Sequence, residues 1–493
     1  MGEPTLKEKT SKGLFWGGLS SFLQQLLNAA FGIYLARTLS PDDYGLVGML
    51  AVFSLISITL QEGGFTSALI NRKEIRHEDY NAVFWFNLLV SGVCYLVLFF
   101  CAPLIARYFH QPVLVRLARW NFLGFIMTGL GTVPRAYLTK KMRVREIAVV
   151  TIVSVIVSGL LGVYLAWQGM AYWALVYQAL ALAFLSNAGF WLCAKWRPSL
   201  RIDFRPVKEM LRFSVKLVVT SVLWMINGNL ITVILGRHYS AERVGYYTQA
   251  NKWSTMGSST LSGMLNSVSH PALAEVSDDR ERQIRVFRKM VRFTAFVSFP
   301  AMLGLALIAP EFITLALTDK WMDSILLMQV LCIGGAFLPI SNLFVNLLFS
   351  RGAAAAYMWS NIGLLAMQLA AVYFAYPYGI VRIIVAITVV NVLWLLVWQV
   401  LSRREIGYSS IQLLSDLAPF LLVTVAVLAV AALATSQMHD LYVSLFSKIL
   451  IAMGLYLFAM WALGAVTFRE CIDFLKVNRT ADRKKKERMN REL

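Results

Sequence analysis

Charged residues are scarce in this sequence. Asp, Glu, Lys and Arg together make up 15% of its 493 residues, whereas soluble domains carry about a quarter. This deficit of charged residues is concentrated in long apolar stretches. Each stretch is near the ~20 residues that cross the hydrocarbon core of a bilayer. The mean hydropathy of +0.63 agrees with this distribution. The sequence therefore predicts an all-α integral membrane protein.

Fourteen apolar stretches are long enough to be transmembrane helices. We predict them near 13–36, 45–69, 82–106, 115–138, 146–167, 171–193, 211–236, 244–269, 288–308, 325–349, 354–376, 380–401, 413–434 and 442–467. The first follows a polar, basic start and has no small-residue cleavage site after it, so we expect an uncleaved helix.

Residue patterns typical of enzymes and metal proteins are missing as well. The five cysteines and five histidines are scattered without metal-ligand or disulfide spacing, and neither HExxH nor GxxxxGK[ST] occurs. The predicted outer loops are too short to hold a folded domain. We therefore expect no catalytic residues, metal or cofactor; a membrane glycosyltransferase or glycan polymerase remains the alternative from the enzyme class.

Basic residues are abundant but unevenly placed, which accounts for the net charge of +19. If the N-terminus is cytoplasmic, 34 of the 46 Lys and Arg residues fall in cytoplasmic segments and five in the opposite loops. This asymmetry predicts the orientation by the positive-inside rule. We expect both termini in the cytoplasm and contact with anionic membrane lipids, and no nucleic acid binding.

An internal repeat relates the two halves of the chain. At a constant offset of 200, Arg37, Ser40, Asp42 and Gly45 correspond to Arg237, Ser240, Glu242 and Gly245. Chance similarity of two turns is the alternative, since turns favour Ser, Asp and Gly. The offset spans six predicted helices, an even number, so the halves have the same orientation and form a parallel repeat.

The repeat predicts two six-helix lobes followed by two further helices. The predicted regions are a cytoplasmic N-terminal segment (1–12), an N-lobe (13–193), a basic cytoplasmic linker (194–210), a C-lobe (211–402), the last two helices (403–467) and a basic cytoplasmic tail (468–493).

Ionisable residues within the membrane are costly and often functional. Three acidic residues fall at membrane depth. Glu311 follows Pro310 at the start of a predicted short helix, and Asp416 follows Ser415 at a helix start, where we expect it to act as a cap. Glu62, beside Gly63 and Gly64, has no such explanation. It is a candidate for ion coupling, with a structural ion pair as the alternative.

Basic and amide side chains at membrane depth predict a wet, mildly cationic cavity between the lobes. Lys252 is the deepest lysine, and Arg119 lies about one turn into the fourth predicted helix. Hydrogen bonding between helices is the alternative role for the amides. The predicted substrate-binding amides are Gln25, Asn28, Asn227, Gln249, Asn251, Asn342 and Asn346.

Several short motifs at helix boundaries resemble the polysaccharide-transport branch of the MOP (MATE-like) exporter superfamily. They are Leu6-Lys-Glu-Lys-Thr with Gly13 and Trp16, Ala36 to Gly45, Ala68 to Glu74, Arg135 to Lys140, Asn266 to Ala274, and Asp319-Lys320-Trp321. The resemblance covers essentially the whole chain.

This resemblance implies a Wzx-type flippase or colanic-acid-type exporter of the bacterial inner membrane. Such proteins move undecaprenyl-pyrophosphate-linked oligosaccharides by alternating access, and the resemblance implies an H⁺ or Na⁺ gradient as the driving force. An anionic pyrophosphate suits Lys252, Arg119, Arg37 and Arg237. The resemblance also implies other polysaccharide-assembly proteins as partners. A peptidoglycan-precursor (lipid II) flippase and a non-transporting assembly scaffold remain alternatives.

Overall fold

The computed structural model describes residues 6–62, 75–200, 203–276, 279–465 and 467–470, without the side chains of some helical residues such as 6–15 and 208–220. The regular structure of these residues is helical. The α-helices are α1 (Leu6–Thr38), α2 (Pro41–Glu62), α3 (His77–Phe109), α4 (Leu114–Asn121), α5 (Leu123–Lys140), α6 (Val144–Trp167), α7 (Tyr172–Ala194), α8 (Arg205–His238), α9 (Ala241–Glu275), α10 (Arg280–Leu307), α11 (Ala309–Leu317), α12 (Ser324–Ser350), α13 (Ala354–Ala375), α14 (Ile380–Ile406), α15 (Ser410–Thr435) and α16 (Leu441–Ala462).

Each of the fourteen predicted segments overlaps a helix in the described ranges. The segment 115–138 falls on two helices, because α4 ends and α5 begins around Phe122. Within the described residues, ten helices are long and apolar enough to cross a membrane. The all-helical, multi-pass class is therefore confirmed, and the count of fourteen crossings stays a prediction.

The chain divides into two compact units. Unit 1 comprises residues 1–249 and 316–321, and unit 2 comprises residues 250–315 and 322–493. The division lies within α9, whereas the repeat predicts a lobe boundary at 194–210. The two units are defined by which residues pack together, whereas the two lobes are defined by the sequence repeat. The division into units therefore does not test the two-lobe arrangement, which stays a prediction.

The two copies of the repeat adopt the same helix–turn–helix structure. In the first copy the Ser40 hydroxyl donates to Asp43 Oδ2 (2.7 Å) and accepts from the Asp43 backbone N–H (3.3 Å), which caps the start of α2. In the second copy the Arg243 backbone N–H donates to Ser240 Oγ (3.4 Å) at the start of α9. A serine that caps the second helix of each hairpin explains why this residue type recurs at the same offset.

Candidate functional site

The end of α1 is hydrogen-bonded to the last turn of α11 and to the segment that follows it. The Arg37 Nε donates to the Ala316 carbonyl (2.8 Å), and the Lys320 ammonium donates to the carbonyls of Arg37 (2.6 Å) and Leu39 (2.7 Å). The Trp321 indole N–H donates to the Ala36 carbonyl (2.9 Å). Burial lowers the pKa of Lys320, and the Asp43 carboxylate opposes this shift. The carbonyls that end a helix carry partial negative charge and attract such cations.

Arg237 makes the corresponding contact in the second copy of the repeat. Its guanidinium donates to the Tyr108 carbonyl (2.6 Å), in the last turn of α3, and lies 5.1 Å from the Tyr108 ring centroid. His110 is also within 3.2 Å of the same nitrogen. Arg37 and Arg237 thus both contact the carbonyl end of another helix. The role of Arg37 and Arg237 in substrate binding stays a prediction.

The two hairpins of the repeat are in contact at their glycines. A β-carbon at position 45 would lie 1.8 Å from the Ala241 carbonyl oxygen, and one at position 245 would lie 1.9 Å from the Pro41 carbonyl oxygen. Glycine is required at both places because any larger residue would overlap the backbone of the facing helix. The recurrence of glycine at the offset of 200 is therefore explained by this contact.

Arg119 lies in the last turn of the short helix α4 rather than one turn into a long helix. Its guanidinium carbon is 4.3 Å from the centroid of the Phe99 ring, a distance at which a cation is attracted to the ring face. The Arg119 Nε is buried and has no hydrogen-bond partner in the described part of the chain. This cation is thus positioned by an aromatic ring and retains a donor for another group.

The predicted amides of unit 1 differ in their exposure. Gln25 and Asn227 are half-buried, and Asn28 is exposed. Gln249 is completely buried near the Tyr44 hydroxyl, and neither atom of its amide makes a well-formed hydrogen bond with a described residue. Gln61 is equally buried and equally unpaired within the described ranges.

Gln61 precedes Glu62 in the chain and is not among the site residues predicted from the sequence. Its isolation is visible only once the helices that surround it are known. Helix α2 ends at Glu62, and the Glu62 side chain and the glycines at 63 and 64 lie outside the described residues. The predicted ion-coupling role of Glu62 therefore stays a prediction.

Lys252, in unit 2, is half-buried on α9. Its ammonium lies 5.5 Å from the centroid of the Trp253 ring, and it makes no ion pair with any described carboxylate. The Asn251 Oδ1 accepts from the Thr255 hydroxyl (3.4 Å), one turn along the same helix. A half-buried ammonium without a described carboxylate partner keeps its charge available to an anion.

Asn342 and Asn346 lie one turn apart on α12, as predicted. The Asn346 amide donates to Asn266 Oδ1 (2.8 Å) and to Ser269 Oγ (3.0 Å), both on α9. Asn342 is half-buried. Asn346 therefore joins two helices by hydrogen bonds, which was the alternative role for the amides.

The expectation that Asp416 caps a helix is wrong. Ser409 caps α15, because its hydroxyl accepts from the Gln412 backbone N–H (3.2 Å). Asp416 is two turns further on and completely buried. Its carboxylate accepts from both Arg288 (2.9 Å at each oxygen) and Arg292 (2.6 Å) on α10.

Tyr408, in the loop between α14 and α15, completes this cluster. Its hydroxyl donates to Asp416 Oδ2 (3.1 Å). Burial, followed by the nearby Asp416 carboxylate, raises the pKa of Tyr408. A buried carboxylate that receives this many donors is well satisfied, which points to a structural ion pair.

Glu311 begins the short helix α11, as predicted, and also forms an ion pair that the sequence did not reveal. Its carboxylate accepts from the Lys448 ammonium and from the Ser444 hydroxyl (2.9 Å), both on α16. The acidic residue is 5% exposed. The two partners are more than 130 positions apart in the chain, so no local pattern could have paired them.

Solved structures share this arrangement of membrane helices. The lipid II flippase MurJ in an inward closed conformation superposes with a TM-score of 0.73 at 15% identity, covering 92% of this chain and 99% of MurJ. An inward-facing multidrug resistance MATE transporter of the MOP superfamily gives a TM-score of 0.64 at 17% identity, covering 78% of this chain and 94% of the transporter. The chain is thus a multi-pass helical membrane protein with the MATE-like fold.

Sequence relatives define the family more closely. Residues 34–326 match the family model described as polysaccharide biosynthesis protein, which is more than half of the chain, so the chain belongs to that family. The match confirms the polysaccharide part of the resemblance seen in its motifs.

The names of similar proteins are consistent with that family. The lipopolysaccharide biosynthesis protein WzxC of Escherichia coli (strain K12) is 27% identical over 70% of this chain and 71% of its own length. The succinoglycan biosynthesis transport protein ExoT of Rhizobium meliloti (strain 1021) is 24% identical over 85% and 83%. The teichuronic acid biosynthesis protein TuaB of Bacillus subtilis (strain 168) is 23% identical over 85% and 88%.

Proposed function

We propose that this protein flips or exports undecaprenyl-pyrophosphate-linked oligosaccharide units across the bacterial inner membrane, for exopolysaccharide, capsule or O-antigen synthesis. The observation that carries the proposal is the family match over residues 34–326, on a chain that has the fold of a solved lipid flippase. The relatives that match are biosynthesis or transport proteins for several surface polysaccharides. The protein would move this substrate by alternating access.

The cations of the candidate site suit the anionic part of such a substrate. Lys252 has no described carboxylate partner, and Arg119 retains a buried, unpartnered N–H. A pyrophosphate accepts hydrogen bonds from an ammonium and equally from a guanidinium, so each of these cations by itself suits such a group. We assign Lys252 and Arg119 to substrate recognition. Arg37 and Arg237, which also contact helix ends, stay predicted substrate-binding residues.

The orientation and the energy source are further parts of the proposal. The excess of basic residues on one side favours cytoplasmic N- and C-termini and contact with anionic lipids there. An H⁺ or Na⁺ gradient would drive turnover, with Glu62 as the coupling carboxylate and no other cofactor. Contact with other polysaccharide-assembly proteins would deliver the substrate.

Transport of a peptidoglycan precursor is the second candidate function. The fold similarity to the lipid II flippase MurJ favours it. At 15% identity, however, this similarity concerns the fold alone. The polysaccharide relatives match at higher identity, so we give the polysaccharide substrate precedence.

Complementation of a deletion strain tests the proposed function. Loss of the gene should abolish surface polysaccharide and cause lipid-linked oligosaccharide to accumulate on the cytoplasmic side. Lys252→Met should lower polysaccharide output about tenfold or more at normal protein levels, as expected for loss of a charge-assisted contact. Lys289→Met is the matched control, because Lys289 is an exposed lysine paired with Glu470, and it should leave output unchanged.

Two results would contradict this assignment. Normal polysaccharide in the deletion strain would remove the proposed function. Normal output from Lys252→Met would remove Lys252 from the substrate path while leaving the function itself standing.

A further inference from the structure

A cavity of about 560 Å³ lies in unit 1, at the ends of three helices. His77 and Tyr80 line it from the start of α3, Tyr137, Lys140 and Lys141 from the end of α5, and Lys195, Trp196 and Arg197 from the end of α7; Ile75 completes the lining. We call this cavity the Trp196 pocket. None of the residues assigned above to substrate recognition lines it.

The lining of the Trp196 pocket is cationic. Four of its residues are lysine or arginine, and no carboxylate is among its described lining residues. Cations that converge on one concave surface raise the positive potential inside it. The Trp196 pocket therefore attracts an anion.

Aromatic side chains are also part of the lining, among them Tyr80 and Trp196. Trp196 is 5% exposed and Tyr80 6% exposed, and the Trp196 ring packs against those of Tyr80, Phe84 and Trp191 at centroid distances of 6.4, 5.6 and 5.9 Å. The indole N–H of Trp196 is buried and has no acceptor among the described residues. A buried donor without a partner is unfavourable, and a ligand that carries oxygen acceptors would supply one.

Hydrogen bonds hold the pocket in this shape. The segment that follows α7 is tied to α3, because the Trp85 indole N–H donates to the Ser199 carbonyl (2.8 Å) and the Ser199 backbone N–H donates to Asn81 Oδ1 (2.8 Å). Lys195 has a left-handed backbone conformation with φ of 52°, which is rare for a residue other than glycine. A binding surface that is held in place before its ligand arrives loses less entropy on binding.

Helix ends that combine lysine, arginine and aromatic residues are typical of the level of lipid headgroups. We propose that the Trp196 pocket binds the phosphate of an anionic lipid headgroup. The cations would pair with the phosphate, and the Trp196 indole N–H would donate to one of its oxygens. The phosphate is the recognised chemistry, whether it comes from a membrane phospholipid, from a polyprenyl pyrophosphate or from solution.

Lipid binding to the purified full-length protein tests this site. The measurement is native mass spectrometry of the protein with phosphatidylglycerol or, for comparison, phosphatidylcholine. The pocket variant is Lys141→Gln with Arg197→Gln. The matched control is Arg403→Gln with Arg404→Gln, which removes two exposed arginines from the end of α14.

The pocket variant should bind phosphatidylglycerol about tenfold more weakly than the wild type, and the control should stay within about twofold of it. Trp196→Phe keeps an aromatic ring, although a smaller one, and removes the N–H donor, and it should weaken binding by a smaller factor. A monodisperse elution profile for each variant separates loss of the site from loss of the fold.

Competition identifies the source of the phosphate. Displacement of phosphatidylglycerol by undecaprenyl pyrophosphate at equal concentration, and not by millimolar inorganic phosphate, would assign the site to lipids. Displacement by inorganic phosphate at such concentrations would assign it to free phosphate, with the same anion chemistry. Equal binding by the wild type and the pocket variant, equal weakening in the control, or wild-type binding of phosphatidylcholine as tight as that of phosphatidylglycerol would overturn the proposal.

Discussion

Gly45 and Gly245 pack against each other's helix in a reciprocal contact. Each glycine faces the carbonyl oxygen of the first residue of the facing helix, Ala241 for Gly45 and Pro41 for Gly245. The two glycines are related by the sequence repeat, and the two contacts are nearly identical. A repeat read from four matching residues thus corresponds to a symmetric packing of two hairpins.

Gly45→Ala should destabilise the protein because its β-carbon would overlap the Ala241 carbonyl oxygen. Overpacking of this kind costs about 1–3 kcal/mol, measurable as a lower midpoint of thermal unfolding in detergent. Gly228→Ala is the control: it also lies within a helix, and no atom of the described residues stands within 4 Å of its β-carbon. It should be neutral or slightly stabilising. Equal midpoints for the two variants would contradict the close packing.

Asp416→Asn should be strongly destabilising. The amide would leave the guanidinium groups of Arg288 and Arg292 without the carboxylate that they share. Because the two arginines keep partial access to solvent, loss of these charge-assisted hydrogen bonds should cost about 2–3 kcal/mol, again measured by thermal unfolding in detergent. The control, Asp440→Asn, changes an exposed helix cap, where Asn serves as well as Asp. A wild-type midpoint for Asp416→Asn would show that the cluster is not structural.

Because the pKa of Tyr408 is raised, we expect the protein to lose stability at alkaline pH. Burial and the Asp416 carboxylate raise the pKa of Tyr408, so the folded state holds this proton more tightly than the unfolded chain does. The resulting stabilisation is present below the ordinary tyrosine pKa of about 10 and is lost as the pH rises above it. Between pH 8 and pH 11 the wild type should lose more stability than Tyr408→Phe. Tyr442→Phe, which changes an exposed tyrosine, should follow the wild type.

Glu311 and Lys448 should behave as a coupled pair. In a double-mutant cycle we compare Glu311→Gln, Lys448→Met and the double variant. The two single changes should together lower the free energy of unfolding by about 1–3 kcal/mol more than the double change does, because each single change leaves the other group buried without its partner. Ser444→Ala, which removes the hydroxyl donor to Glu311, should be milder. Additive effects of the two single changes would show that the groups act independently.

Glu62→Gln tests ion coupling. If Glu62 exchanges a proton during turnover, the amide should reduce the rate of transport driven by an imposed pH gradient by about tenfold or more. Glu78→Gln, at an exposed position near the start of α3, should transport normally. Unchanged transport by Glu62→Gln would leave the structural ion pair as its role.

Apolar length predicted the positions of the helices well because a bilayer imposes one length on every crossing segment. The break at Phe122 between α4 and α5 was not predicted, since Arg119 and Trp120 beside it are compatible with a continuous helix and nothing local marks the interruption. The membrane-depth acids were also recognised from the sequence. Their partners were not, because Asp416 and Glu311 pair with residues more than 120 positions away.

The sequence by itself determined the membrane class, the helix positions, the repeat and the family, because each of these is written in composition, periodicity or local motifs. Tertiary structure alone decided which charges are neutralised and which remain available. It paired Asp416 with two arginines, placed Arg37 and Arg237 on helix ends, and left Lys252 without a described carboxylate partner. It also brought Lys141, Lys195 and Arg197 to one pocket. The physical reason is that ion pairs and cavities form between segments distant in the chain, where packing sets the distances.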